Sequence, residues 1–130
     1  MEKAQPYATN LSQADRRALR GDRGESILLV DELHGPASNV DLHLNILEPD
    51  SGPGPAHYHK RAENIHLVLS GCIDVEIAGE TRHLEREDVL FIPPGVVHRT
   101  SNPGEEIARF IEIYAPAGED FQVVGEEEQS

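Results

Sequence analysis

The most regular feature of the chain is an alternation of apolar and polar residues with a period of two. Over residues 40–47, apolar side chains fall on every second position and polar ones, including His43, fall between them, as in a strand with one buried face. We predict further strands over residues 26–33, 63–70, 72–78, 81–84, 89–92, 97–100, 107–115 and 121–124. Glycine and proline turns separate these short strands, which is typical of an all-β sandwich or barrel.

The ends of the chain are more polar than its middle. Residues 1–25 are predicted to form an N-terminal extension, with a short helix that begins at Asn10 or Ser12 and ends before Gly21. Residues 26–124 are predicted to form one β domain, because 130 residues leave room for one core. The acidic residues 125–130 are expected to be a disordered tail.

The charge balance is strongly acidic, with 24 Asp and Glu against 11 Lys and Arg and a formal net charge of −13. This balance disfavours nucleic acid and anionic membranes as partners, and no apolar run approaches the ~20 residues of a membrane span. An arginine cluster at residues 16–23 is interrupted by acidic residues, so we interpret it as a surface helix or a salt-bridged segment, not as a phosphate-binding patch. A single cysteine and the lack of a signal peptide favour the cytoplasm.

Three histidines carry the strongest chemical signal. His57 and His59 stand at positions i and i+2, so a strand would place both imidazoles on one face, roughly 6 to 7 Å apart. Glu63 follows closely, and His98 comes some forty residues later. Two imidazoles, a carboxylate and a third imidazole would complete a mixed nitrogen and oxygen site for one transition metal.

The spacing of these residues resembles the two sequence motifs of the cupin superfamily. The first motif is represented by Gly52, His57, His59, Glu63 and Gly71, and the second by Glu87, Pro93, Gly95, His98 and Asn102. Two departures fall in turns: Gly52 is one residue closer to His57 than usual, and Glu87 replaces a glycine. The resemblance spans about residues 40 to 115.

The resemblance implies a fold and an assembly. It implies a double-stranded β-helix, or jelly-roll barrel, in a single domain behind a short N-terminal extension, and it implies a homodimer. It says less about chemistry, because the superfamily includes dioxygenases, isomerases, lyases, sugar-binding sensors and storage proteins.

The fourth ligand position is ambiguous. Counted forward from His59, it falls on Glu63; counted backward from Gly71, it falls on Asn64. Glu63 is preferred, because its phase would also turn the apolar residues of the strand inward. The other phase would turn His66 inward, as an acid/base group or an extra ligand, and a β-bulge would reconcile the two counts.

These residues lead to a functional hypothesis. His57, His59, Glu63 and His98 are predicted to bind one divalent ion (Fe, Mn, Ni, Co or Zn) with open coordination positions, which suits catalysis better than a closed structural site. Glu63 and His66 are the candidate acid/base residues. The residues expected to line the barrel are Leu44, Ile46, Phe91, Phe110, Glu112 and Tyr114.

We therefore predict a metal-dependent enzyme, of the dioxygenase or isomerase/lyase type, acting on a small oxygenated metabolite chelated to the metal. The alternative is a non-catalytic small-molecule-binding or sensor protein. A sensor is normally joined to a DNA-binding helix-turn-helix, and only about 25 polar residues precede the first predicted strand.

Overall fold

The computed structural model describes residues 5–37 and 39–125. The strands in the described residues are Asp15–Ala18 (β1), Gly24–Val30 (β2), Asp41–Leu47 (β3), His57–His59 (β4), Glu63–Ser70 (β5), Cys72–Ile77 (β6), Glu80–Glu85 (β7), Val89–Ile92 (β8), His98–Ser101 (β9), Ala108–Ala115 (β10) and Phe121–Val123 (β11). A single turn of 3-10 helix, Arg20–Asp22, joins β1 to β2. None of the helices in the described residues is long and apolar enough to cross a membrane.

The strands form two antiparallel sheets. One has the order β1-β2-β3-β10-β5-β8 and the other the order β11-β4-β9-β6-β7. Strands that are neighbours in a sheet are often distant in sequence, as where β10 lies between β3 and β5. These crossovers between two sheets confirm the predicted all-β jelly roll.

The hydrophobic core occupies one end of the space between the sheets. Val68 from one sheet and Ile73 and Val75 from the other are 0% exposed, and Phe110 packs with them. Complete burial of such side chains contributes about 1.5–3 kcal/mol each to folding. Because Val68 points inward, residues two and four positions earlier on β5 also point inward.

The alternation over residues 40–47 is confirmed, but its inner face was assigned wrongly. His43 and Asn45 face the interior cavity, whereas Leu44 packs with Ile27 and Leu29 in a second apolar cluster. Alternation shows that a strand has two different faces, but it does not show which one faces the barrel interior when both are covered.

The N-terminal segment differs from the predicted short helix. The Asn10 carbonyl accepts hydrogen bonds from the amides of Gln13 and Ala14, but this turn leads directly into β1. The predicted acidic tail lies outside the described residues except for Gly125.

A loop after β9 is fixed by one side chain. Asn102 is 0% exposed, and its amide donates to the carbonyls of Leu47, Glu48 and Glu106 while its oxygen accepts from the Gly104 amide. Asn102 therefore connects the end of β3 to the segment that precedes β10 through hydrogen bonds.

Candidate metal centre and a buried histidine–glutamate pair

The three motif histidines meet at one end of the cavity. His57 and His59 lie on β4, and His98 begins β9, where it pairs directly with His57. One donor atom from each imidazole lies within 4.8 Å of the others. This grouping places three nitrogen donors close enough to share one ion.

Backbone carbonyls orient all three rings. The Nδ1 atoms of His57, His59 and His98 hydrogen-bond to the carbonyl oxygens of Pro55, Glu119 and Val96, at 2.8, 2.6 and 2.9 Å. A carbonyl only accepts, so each Nδ1 carries the proton and each Nε2 is left with a lone pair. The Nε2 atoms of His59 and His98 are buried, and no residue that the structure describes hydrogen-bonds to them.

Burial also favours the neutral form of two of these imidazoles, His57 and His98. It lowers the pKa of His57 to about 4, with a further contribution from repulsion by His98. Burial likewise lowers the pKa of His98. Neutral imidazoles with fixed, unpaired Nε2 atoms are the form that binds a metal ion.

Glu63 does not join the histidines. It is exposed, whereas Asn64 and His66 are 0% and 1% exposed. The expected inward orientation of Glu63 is therefore wrong: the apolar residues that share its phase, such as Leu67, lie on the outer face of the sheet. The inward-facing positions of β5 include Asn64, whose Oδ1 is buried and has no partner in the described part of the chain.

His66 lies beside the triad and pairs with a carboxylate from the neighbouring strand. Its ring centroid is 6.5 Å from that of His98, and its Nε2 lies 3.3 Å from Oε2 of Glu112. Asn45 donates a short hydrogen bond to the other oxygen of Glu112. His66 Nδ1 is buried and has no partner among the described residues.

The surroundings of this pair determine which of its two side chains is charged. Burial would raise the pKa of Glu112, but attraction to His66 when that ring is protonated, together with hydrogen bonds from Tyr114 and Asn64, lowers it to about 2. Burial lowers the pKa of His66 by more than the carboxylate raises it. At neutral pH the pair is thus a buried carboxylate beside a neutral imidazole.

The sequence placed Glu112 on the barrel lining but gave it no role. The sequence feature that could have identified its role is a charged residue at an inward-facing position of β10, between Phe110 and Tyr114. A carboxylate is seldom fully buried unless it is paired. That rule marks Glu112 as a residue with a specific partner.

The site opens into a cavity of about 690 Å³, a size typical of small-molecule sites. Its lining includes His57, His66, His98, Phe110, Glu112 and Tyr114, with Arg17, Arg20 and Arg23 from the N-terminal segment. Three residues that were expected to line the cavity do not. Leu44 and Ile46 belong to the outer apolar cluster, and Phe91 is 51% exposed.

Comparison with known proteins places this arrangement in a family. The family model described as "Cupin domain" matches residues 43–114, which hold the three histidines, His66 and Glu112. The chain therefore belongs to the cupin family, as the motif spacing indicated.

The chain is also similar to individual proteins of polyketide synthesis. The chain is 28% identical over 116 residues to the polyketide synthase protein CurC of Streptomyces cyaneus, covering 89% of this chain and 73% of that protein. It is 33% identical over 89 residues to the tetracenomycin polyketide synthase protein TcmJ of Streptomyces glaucescens, covering 68% and 58%.

A solved structure shows the same fold. The polyketide cyclase RemF from Streptomyces resistomycificus superposes with a TM-score of 0.78 at 19% identity, over 92% of this chain and 86% of that chain. At this identity the likeness shows the fold alone.

Proposed function

We propose that this protein is a metal-dependent enzyme that moves a proton within a small oxygenated substrate. The observation that carries the proposal is the His66–Glu112 pair, which lines the same cavity as His57 and His98 of the triad. A proton-transfer reaction of the isomerase, lyase or cyclase type uses such a pair directly.

The donor set fits a divalent transition metal. His57, His59 and His98 would hold it through their Nε2 atoms, which are already freed by the Nδ1 hydrogen bonds to carbonyls. A bound ion would supply a Lewis acid that engages substrate oxygens and stabilises developing negative charge. Among the candidate ions Fe, Mn, Ni, Co and Zn, imidazole donors suit Zn, Fe and Ni better than Mn, which prefers oxygen ligands.

His66 is the proposed base and Glu112 its positioning residue. The 3.3 Å contact to Glu112 places the proton of neutral His66 on Nε2, so Nδ1 is the atom free to accept another. His66 would take a proton from carbon, the C–H electron pair would pass into an enolate, and Nδ1–H would return the proton elsewhere on the substrate. Glu112 stabilises the imidazolium while it exists, as a buried carboxylate does in a catalytic triad.

The proposed substrate class is a compound with two carbonyl oxygens on neighbouring or alternate carbons. Such compounds have acidic C–H groups and an oxygen pair that chelates a metal. CurC, TcmJ and RemF are named for polyketide synthesis and cyclisation, and polyketide chains carry 1,3-dicarbonyl units. A cavity of about 690 Å³ would hold a ligand of this kind.

The test follows α-proton exchange of a simple 1,3-diketone in D2O by NMR, with protein purified without a His tag. Wild type with bound metal should accelerate exchange, and His66→Gln and Glu112→Gln should each lose about 10²-fold or more. Elemental analysis should find the same metal content in wild type, His66→Gln and Glu112→Gln. His57→Ala combined with His98→Ala should lose both metal and exchange while remaining a folded β-protein.

Two outcomes would contradict the proposal. Unchanged metal content in the double histidine variant would show that the triad does not bind the metal. Full metal content without accelerated exchange would favour the alternative, a non-catalytic small-molecule-binding protein.

We also propose that the protein forms a homodimer. We further propose that it acts in a reducing compartment, which is consistent with its single cysteine. The outer face of the six-stranded sheet carries an apolar patch, with Leu69, Val89 and Phe91 exposed by 43%, 63% and 51%. Large exposed apolar patches mark interaction sites. Light scattering should show that Phe91→Glu shifts the mass from dimer to monomer, whereas Val124→Glu, at a separate exposed position, should not.

A further inference from the structure

A second group of ligand-type side chains lies near Tyr114, which also contacts the triad. Asp41 and His43 stand at positions i and i+2 on β3, the same spacing as His57 and His59. With Glu119, they place one donor atom each within 4.8 Å of one another. Tyr114 contacts a ring from each group, with centroid distances of 5.7 Å to His43 and 4.8 Å to His59.

The Asp41 carboxylate is only half satisfied. Its Oδ2 accepts hydrogen bonds from the amides of Gly118 and Glu119, at 2.8 and 3.2 Å. Its Oδ1 is buried and has no partner within residues 5–37 and 39–125, and the residue is 3% exposed. An unpaired carboxylate oxygen costs much more when buried than when hydrated, unless a cation or a donor meets it.

Glu119 brings a second carboxylate to the same place. Arg17 contacts one of its oxygens, Oε2, at 3.3 Å, which leaves the other oxygen for a different partner. His43 is 2% exposed and lines the cavity. The cluster thus combines two carboxylates and one imidazole, most of it removed from solvent.

We propose that Asp41, His43 and Glu119 form a second site, for a divalent transition-metal ion, separate from the histidine triad. One nitrogen and two oxygen donors suit Zn²⁺ or Mn²⁺ better than Ca²⁺ or Mg²⁺, which prefer oxygen ligands throughout. The ion binds the unpaired Asp41 oxygen and thereby stabilises residues 118–119. The Gly118 amide of this segment donates to Asp41, and the Glu119 carbonyl accepts from His59.

The experiment counts zinc bound per chain. Untagged protein freed of metal with a chelator is titrated with Zn²⁺ in a calorimeter, then desalted for elemental analysis. Wild type is expected to bind about two ions. The Asp41→Asn variant is expected to bind about one, and so is the double variant with His57→Ala and His98→Ala. Combining all three substitutions should leave none. The asparagine retains an oxygen for the Gly118 and Glu119 amides, and far-UV circular dichroism checks the fold.

Matched variants separate this site from others. His83→Gln removes an exposed histidine that contacts Asp74 and should still bind two ions. Glu119→Gln should bind one, and it replaces Asp41→Asn as the test if the latter does not fold. Equal zinc content in wild type and both carboxylate variants would overturn the proposal and indicate a bound water instead. If the triad binds no metal, a single ion that is lost in Asp41→Asn would still support the second site.

Discussion

The buried His57 imidazole makes the stability of the metal-free protein depend on pH. Burial, followed by repulsion from His98, lowers its pKa from 6.5 to about 4, and unfolding restores the higher value. Well above pH 6.5, from about pH 7.5 upward, His57 is mostly neutral in both states. As the pH falls from 6.5 to about 4, the unfolded chain gains the proton first, so the free energy of unfolding falls. At about 1.4 kcal/mol per pKa unit, the loss is about 3 kcal/mol.

Urea denaturation of chelator-treated protein between about pH 7.5 and pH 4 measures this effect. His57→Gln does not titrate, so wild type should lose about 3 kcal/mol relative to that variant on acidification. His34→Gln is a control of opposite sign, because hydrogen bonds to Asp15 and Asp31 raise the pKa of His34. The stability that His34 contributes is present below pH 6.5 and disappears as the pH rises through its folded pKa. Parallel pH profiles for wild type and His57→Gln would refute the reasoning.

Three further substitutions test other parts of the structure. Glu63→Gln should leave the metal content unchanged, because Glu63 is exposed and outside the triad; loss of metal in elemental analysis would restore it as a ligand. Asn102→Ala removes four hydrogen bonds and should cost about 3–4 kcal/mol in urea denaturation, whereas exposed Asn39→Ala should change stability by less than about 0.5 kcal/mol. Glu87 has a φ of 74° where the motif has glycine, so Glu87→Gly should raise the melting temperature by relieving about 1 kcal/mol of backbone strain; a lower melting temperature would contradict this.

The sequence predicted the strands well because period-two alternation and turn residues are local signals. The predicted strands 63–70 and 89–92 match β5 and β8 residue for residue. The prediction of an N-terminal helix was wrong because a capping residue such as Asn10 can also begin a turn. Residues 15–18 then form a strand because they pair with β2. Pairing between strands cannot be predicted from the local sequence of only a few residues.

The site was predictable in part for the same reason. The grouping of His57, His59 and His98 followed from spacing within and between two motifs. The orientation of Glu63 did not, because β5 has apolar residues in one phase and a mixed set in the other, and its outer face is also apolar. The contact between His66 and Glu112 joins residues 46 positions apart in the chain, so it becomes visible only when β5 and β10 pair.

The hydrogen bonds that orient the triad also determine the charge balance of the centre. A metal-bound imidazole is a neutral ligand, and the Nδ1 atoms of these three rings hydrogen-bond to peptide carbonyls, not to carboxylates. A divalent ion held by them would keep nearly its full double positive charge, with Glu112 as a nearby negative group. The Asp41 and Glu119 carboxylates would instead neutralise their own ion. An anionic ligand, such as an enolate or a carboxylate, would therefore gain far more from the triad than from its neighbour.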